Sequence, residues 1–210
     1  LNQDRKSIET GMQQQALAIV EQLGLDDKSM PAALSLFQPD WHQGVVGLLA
    51  SRIREKYHRP VVAFARGDNG DLKGSCRSIP GLHIRDTLDA VATQNPGLIT
   101  KFGGHAMAAG LSLNEDKLNE FEQAFEQQVA QLVTEDDLQA RLITDGCLEA
   151  QQLSMHTAEM LRDAGPWGQL FPEPCFQGDF RIVQQRIVGE RHLKLVLSPS
   201  NQPEIAIDAI

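Results

Sequence analysis

Cysteine is scarce. Cys76, Cys147 and Cys175 are the only three among 210 residues, odd in number and widely spaced. No C-x-x-C pair occurs, which excludes a zinc ribbon or a disulfide framework. Three reduced thiols, buried or half-buried, are expected instead. Long apolar runs are missing too: none approaches the roughly 18 residues of a membrane-spanning helix. The first ten residues are polar and charged, without the basic start and apolar middle of a signal peptide, so a cytoplasmic protein with no membrane partner is expected. The usual signatures of catalytic centres are absent as well. There is no H-E-x-x-H, no D-x-D, no aspartate–histidine cluster and no P-loop, and no G-x-S-x-G elbow. No metal ligand set is therefore expected within this chain.

What remains is an ordinary globular composition, 41% hydrophobic and 22% charged, long enough for one large domain or two small ones. The net charge of −9 argues at first against nucleic acid, but it is unevenly spread. Residues 52–101 hold nine basic and five acidic groups, whereas residues 112–165 hold three basic and twelve acidic. A basic segment inside an acidic chain permits an anion held locally rather than a broad duplex-binding face. A solvated mixed-charge surface accounts for the same numbers.

The apolar spacing predicts a helix over residues 2–23, through Ile8, Met12, Ala16, Ile19 and Leu23, with Gly24 as its stop. A short strand follows at 33–37, then a helix from Val45 to Tyr57. The run Val61-Val62-Ala63-Phe64 reads as a buried strand. The turn Gly67-Asp68-Asn69-Gly70 returns it as a strand over 72–77. A helix is expected at 84–92, a strand at 111–113, and a long acidic helix capped by Asn114 and reaching Val133 through Leu118, Phe121, Phe125, Val129 and Leu132. Strands and helices so mixed indicate an α/β (mixed α+β) domain. Past the acidic stretch Glu135-Asp136-Asp137, a short helix at 158–164 gives way to strand-like alternation from Phe176 to Ile207, the pattern of a small all-β unit. That alternation stops at Ile210 without a polar tail, so the β unit is expected to be incomplete and the chain a piece of a longer one.

Three stretches could carry chemistry. In Phe102-Gly103-Gly104-His105-Ala106-Met107-Ala108-Ala109-Gly110, paired glycines allow φ > 0 and close approach to a ligand. A helix starting near His105 would aim its first N–H groups at an anion, and His105 could donate to a phosphate oxygen. An ordinary tight turn with a surface histidine explains the same residues. In Lys73-Gly74-Ser75-Cys76-Arg77-Ser78, strand alternation puts Ser75 and Arg77 on one face, where hydroxyl and guanidinium suit a terminal phosphate; a polar outer strand face is the plainer account. Trp41-His42-Gln43-Gly44-Val45-Val46-Gly47 leads into the second helix with two glycines for close packing and a histidine expected to be structural. Arg52, Arg54 and Arg59 read as a solvated helix face and its end.

Together these stretches, with Tyr57-His58-Arg59-Pro60-Val61-Val62 between them, resemble the DHH-associated domain of RecJ-type phosphoesterases. Leu1 to Glu9 resembles the helix that links a DHH catalytic domain to it. Gly165-Pro166-Trp167-Gly168-Gln169-Leu170-Phe171-Pro172-Glu173-Pro174 resembles the approach to that family's OB-fold, with Leu170-Phe171 where a glycine-asparagine pair is commoner. The resemblance implies residues 1–28 as linker helix, 29–135 as substrate-binding domain and 136–210 as linker and start of an OB-fold. It implies a single-stranded-DNA-specific 5′→3′ exonuclease of recombination and repair, with Mn2+ or Mg2+ held in a DHH domain outside this chain. By the same resemblance, Gly74, Ser75, Arg77 and Ser78 hold the DNA 5′ end. Gly103, Gly104 and His105 lie near the scissile phosphate, with His105 stabilising transition-state charge. Single-stranded-DNA-binding protein and a helicase are the implied partners, and a monomer is expected. Other readings are an oligonucleotide or cyclic-dinucleotide phosphodiesterase of the same superfamily, a non-catalytic nucleic-acid-binding module such as the appendage of alanyl-tRNA synthetases, and a protein-interaction domain. The last requires Ser75, Arg77 and His105 to be dispersed in space.

Overall fold

The computed structural model describes residues 2–22, 30–67, 70–168, 171–189 and 192–210. The helix stop at Gly24, the Asp68-Asn69 centre of the expected turn, and the Gln169-Leu170 pair lie outside the described residues. The chain divides into two units, Leu1–Ala140 and Arg141–Ile210.

The first unit is built on a five-stranded sheet of order β1-β2-β3-β5-β4. Its strands are β1 (Leu34–Phe37), β2 (Val61–Arg66), β3 (Asp71–Arg77), β4 (Lys101–Gly104) and β5 (Ala108–Asn114). β1 and β2 are parallel and joined through helix α2 (Val46–Tyr57), since a parallel pair needs a crossover. The remaining pairings are antiparallel. Strand β2 is buried from Val61 to Ala65, as expected for a strand covered on both faces.

Each face of the sheet has its own core. On one face, Val61, Ala63 and Ala65 meet Val46, Leu49, Ala50 and Ile53 of α2 and Met12, Ala16 and Val20 of helix α1 (Asn2–Gln22). The buried stripe of α1 is thus the four-residue repeat Met12-Ala16-Val20, while Ile8, expected in it, is exposed. On the other face, Val62, Phe64, Leu72, Cys76 and Leu111 pack against helices α3 (Ile84–Gln94) and α4 (Leu118–Leu132). Phe64 meets Phe121 edge-on at 5.4 Å, and Phe121 stacks on Phe125 at 5.5 Å, both favourable aromatic geometries.

Three expectations need correcting here. Asn114 makes no side-chain cap; it precedes a 3-10 turn, Glu115–Lys117, from which α4 grows. Leu132 is exposed, although Val129 in the same turn and Val133 after it pack on the core, so Leu132 lies off the buried face. Arg59 is buried rather than solvated. It donates to the carbonyls of Pro31, Tyr57, His58 and Leu138, satisfying a charge that burial would otherwise penalise.

The second unit opens with a capping box between Glu149 and Gln152 and helix α5 (Met155–Asp163), where the Ser154 hydroxyl accepts from the Thr157 N–H. Trp167 Nε1 donates to the Leu161 carbonyl at 3.1 Å, and its ring lies 4.8 Å from that of Phe171. Strands β6 (Phe180–Val188), β7 (His192–Pro199) and β8 (Ile207–Ala209) form an antiparallel sheet whose register shifts between Ile182 and Gln184. This small all-antiparallel sheet is consistent with an OB-like domain. Ile182, Val183 and Ile187 of β6 are exposed.

All three cysteines are free, but their settings differ more than expected: Cys147 is exposed, Cys175 half-buried and Cys76 fully buried. Burial pushes the Cys76 thiol far up, with neighbouring Arg77 pulling the other way, so little thiolate is available. Alkylation of the native protein followed by mass spectrometry is therefore expected to modify Cys147 and Cys175 readily and Cys76 only in denaturant. Equal labelling of all three would contradict the placement of β3.

Candidate nucleic-acid interface

Strand alternation on β3 divides its residues between the two faces. Leu72, Gly74 and Cys76 are buried, while Lys73, Ser75 and Arg77 are partly exposed. A Cβ on Gly74 would come within 2.7 Å of the Phe64 ring and 3.0 Å of Val62. Gly74 therefore belongs to the packing beneath Phe64, on the face opposite Ser75 and Arg77. Ser78 is buried as well. Its hydroxyl donates to the Leu82 carbonyl at 2.7 Å and its N–H to that of Met107 at 3.0 Å, so the hydroxyl has a structural partner.

The open face comes from unequal coverage. Helix α2 packs mainly on β2 and β3, and its core includes nothing from β4 or β5. Register then sets three rows across β3, β5 and β4. Lys73 pairs with Ser112, which pairs with Lys101; Ser75 pairs with Gly110, which pairs with Gly103. Arg77 pairs with Ala108, whose carbonyl accepts the His105 N–H at 2.8 Å. Gly103 and Gly110 are exposed. A Cβ on Gly103 would meet nothing within 4 Å, and one on Gly110 only the Gly74 carbonyl at 3.7 Å. The centre is therefore bare peptide. It is one row, Gly110 and Gly103 about 5 Å apart on neighbouring strands, with the flanking rows about 7 Å away on either side. Lys73 and Lys101 flank one end, Arg77 and His105 the other.

The loop bearing His105 differs from the expectation. No helix starts there: β4 and β5 form a hairpin whose tip is His105-Ala106-Met107. Gly104, at φ 146°, makes the turn possible, because a Cβ there would come within 2.4 Å of the Ala109 backbone. The tip is fixed where the Met107 carbonyl accepts from Ser78 and the Ala106 carbonyl from Ile84 at 2.9 Å. The His105 side chain stays exposed. Gly104 thus shapes the turn, Gly103 forms the floor and His105 stands at the rim.

Lys73 is held by Asp71 at 2.6 Å and donates to Ser112 at 3.0 Å. Arg77 makes a different set of bonds. Nε donates to the Ser51 hydroxyl at 3.1 Å and Nη1 to its neighbour's carbonyl, Cys76, at 2.8 Å. Among the described residues no carboxylate pairs with it. Ser51, a mid-helix hydroxyl, escaped sequence reading; the strand pattern pointed to Arg77 but not to what holds it. His42 is structural, its Nδ1 accepting from the Gly44 N–H at 3.0 Å. Acidic helix α4 packs on the opposite face. Among the described residues no three His, Cys, Asp or Glu side chains gather to hold a metal ion.

The model of the DHHA1 domain matches residues 27–131. The chain belongs to the DHHA1 family. A second model, the RecJ OB domain, matches residues 144–210, so the DHHA1 domain here is followed by an OB-type region. Two relatives named single-stranded-DNA-specific exonuclease RecJ, from Salmonella typhimurium and Escherichia coli, are 56% and 55% identical over 95% of this chain. The chain spans about a third of their length, 34% in each case. Among solved structures, RecJ in complex with Mg2+ from Thermus thermophilus superposes with a TM-score of 0.73 at 27% identity, covering 99% of this chain and 30% of that one. An exonuclease RecJ bound to manganese matches at 0.51 and 30% identity, over 65% of this chain and 33% of its own.

Adding one methyl to Gly74 is expected to destabilise the first unit by about 1–3 kcal/mol through overpacking against Phe64. Urea unfolding of Gly74→Ala measures this. An unchanged midpoint would remove Gly74 from the core.

Proposed function

We propose that this chain is the substrate-gripping portion of a single-stranded-DNA-specific 5′→3′ exonuclease acting in recombination and repair in the cytoplasm, and that alone it binds DNA ends without cleaving them. The observation carrying this reading is the convergence of Ser75, Arg77 and His105 around a bare glycine floor, in a chain whose relatives bear that enzyme's name. A protein-interaction role required those three residues to be dispersed. A smaller phosphodiesterase leaves the OB-type region at 144–210 unexplained.

In this reading residues 1–28 link to a catalytic domain outside the chain, 29–135 hold the substrate, and 136–210 hold the single strand in a groove by stacking and backbone contacts. The side chains divide the work by chemistry. Arg77 presents unspent N–H donors to a 5′-terminal phosphate, and charge-assisted bonds of this type are the strong ones. The Ser75 hydroxyl, on the same face two residues away, adds a neutral donor. The terminal nucleotide then lies on Gly110 and Gly103, where no Cβ obstructs it, with His105, across β5 from Arg77 at the same end of the floor, donating to the phosphodiester as charge builds on it. Gly74 and Ser78 support this site from behind.

Among the described residues no three His, Cys, Asp or Glu side chains gather, and in this reading Mn2+ or Mg2+ belongs to a catalytic domain outside the chain, in keeping with the Mg2+ and manganese of the matched RecJ structures. That ion would supply the activated water. The chain is taken to act as a monomer, with single-stranded-DNA-binding protein and a helicase as partners of the whole enzyme.

Fluorescence anisotropy with otherwise identical 5′-phosphate and 5′-hydroxyl strands tests the end grip. The 5′-phosphate should bind more tightly, and Arg77→Ala should erase a preference of about 2 kcal/mol. Equal binding of both strands by the parent chain would refute end recognition. Incubation with Mn2+ should release no nucleotide, and cleavage by this chain alone would overturn the division of labour. Lys101→Ala should instead weaken both strands alike and flatten the salt dependence by about 0.7 in log–log slope; an unchanged slope would remove Lys101 from the DNA path.

A further inference from the structure

Helix α2 approaches β3 with its first turns directly over Arg77. A Cβ on Gly47 would sit 3.1 Å from Arg77 Nη2 and 3.6 Å from the Ser75 hydroxyl. One turn later the Ser51 hydroxyl donates to the Gly47 carbonyl at 3.1 Å and accepts from Arg77 Nε at 3.1 Å. Gly47 and Ser51 are four residues apart, hence stacked on one helix face. The glycine leaves the space the guanidinium occupies, and the serine fixes how it lies there. The Cys76 carbonyl takes one Nη1 hydrogen. Of the five guanidinium N–H groups, three remain: one on Nη1 and both on Nη2.

We propose that Ser51 is a positioning residue for Arg77, and that Gly47 and Ser51 together make α2 the holder that sets the arginine for a terminal phosphate. This rests on the end-binding reading above and deepens it. An arginine side chain carries substantial rotamer entropy, which binding must otherwise freeze. Holding it by Nε, the hydrogen farthest from the fork's open end, orients the group and leaves the phosphate-facing hydrogens unspent. A carboxylate in the place of Ser51 would also fix the guanidinium, but it would cancel the charge an incoming phosphate needs. A neutral hydroxyl orients without neutralising. It can do so only because its own proton is directed to the Gly47 carbonyl, leaving a lone pair for Arg77.

Ser51→Ala, Ser51→Thr and Gly47→Ala form the test, with Arg77→Ala as reference, using the 210-residue chain. The first readout is the ratio of affinities for 5′-phosphate and 5′-hydroxyl single strands. The second is NMR of the Arg77 Nε–H, assigned by its loss in Arg77→Ala. Ser51→Ala should cut the ratio about three- to tenfold and speed exchange of that proton with water, and Ser51→Thr should restore both. Gly47→Ala should lower the ratio although alanine is the better helix former, so helix destabilisation cannot account for the loss. In the double variant with Arg77→Ala, Ser51→Ala should have no further effect on the ratio. If Ser51→Ala leaves the ratio and the exchange rate unchanged while Arg77→Ala abolishes the preference, the positioning role is overturned and end recognition stands. If Arg77→Ala leaves the ratio unchanged, end recognition falls. The Nε–H exchange then decides separately whether Ser51 holds Arg77.

Discussion

The two-residue period of β3, set between β2 and β5, governs how the first unit is organised. One strand must fill the core beneath Phe64 and also furnish polar groups to the opposite face, and alternation is the only way an extended chain does both. Leu72, Gly74 and Cys76 serve the first demand, and Lys73, Ser75 and Arg77 the second. Slipping the register by one residue would turn Lys73, Ser75 and Arg77 into the core and Leu72 and Cys76 toward solvent, so the pairing is strongly enforced. Core packing and ligand geometry are thus set by the same pairing.

The supports around β3 extend this coupling. The aromatic series Phe64, Phe121 and Phe125 fixes the sheet against α4, and Gly74 lets it sit close. Buried Arg59 ties the end of α2 to Leu138, beyond α4, through backbone carbonyls. The hairpin tip at Ala106-Met107 is fastened to Ser78 and to the start of α3, so His105 stands on an anchored loop. Rigid elements surround the proposed ligand-facing groups, the condition under which a binding site is preorganised.

Much of this was legible in the chain itself. Alternation placed Ser75 and Arg77 together, the glycine pair signalled the positive φ found at Gly104, and the apolar runs gave most strands and helices to within a few residues. What escaped depended on partners distant in sequence. Gly74 and Ser78 read as ligand-facing because nothing local reveals Phe64 or the Leu82 carbonyl. The backbone around His105 read as a helix start because periodicity does not announce that residues 101–104 will pair with 108–114. Ser51 carried no local signal, its bond to Arg77 spanning 26 positions. Arg59 looked solvated for the same reason, its acceptors at Pro31 and Leu138 being remote. Leu132 and Ile8 match the apolar spacing of their helices, yet both are exposed, because spacing alone does not say which face a neighbour covers.

The bare peptide floor also determines which genetic lesions would be visible. A methyl group on Gly103 or Gly110 meets open space or an ordinary contact, and neither glycine has the left-handed backbone that would make a side chain strained. Such alleles would fold, accumulate and resist proteolysis as the parent does. If the floor seats DNA as proposed, a deep mutational scan scored on abundance would register both positions as tolerant, while one scored on DNA processing would register them as intolerant. The contrast with Gly74 and Gly104, where added atoms collide with ring or backbone, separates glycines kept for the fold from glycines kept for the surface it presents.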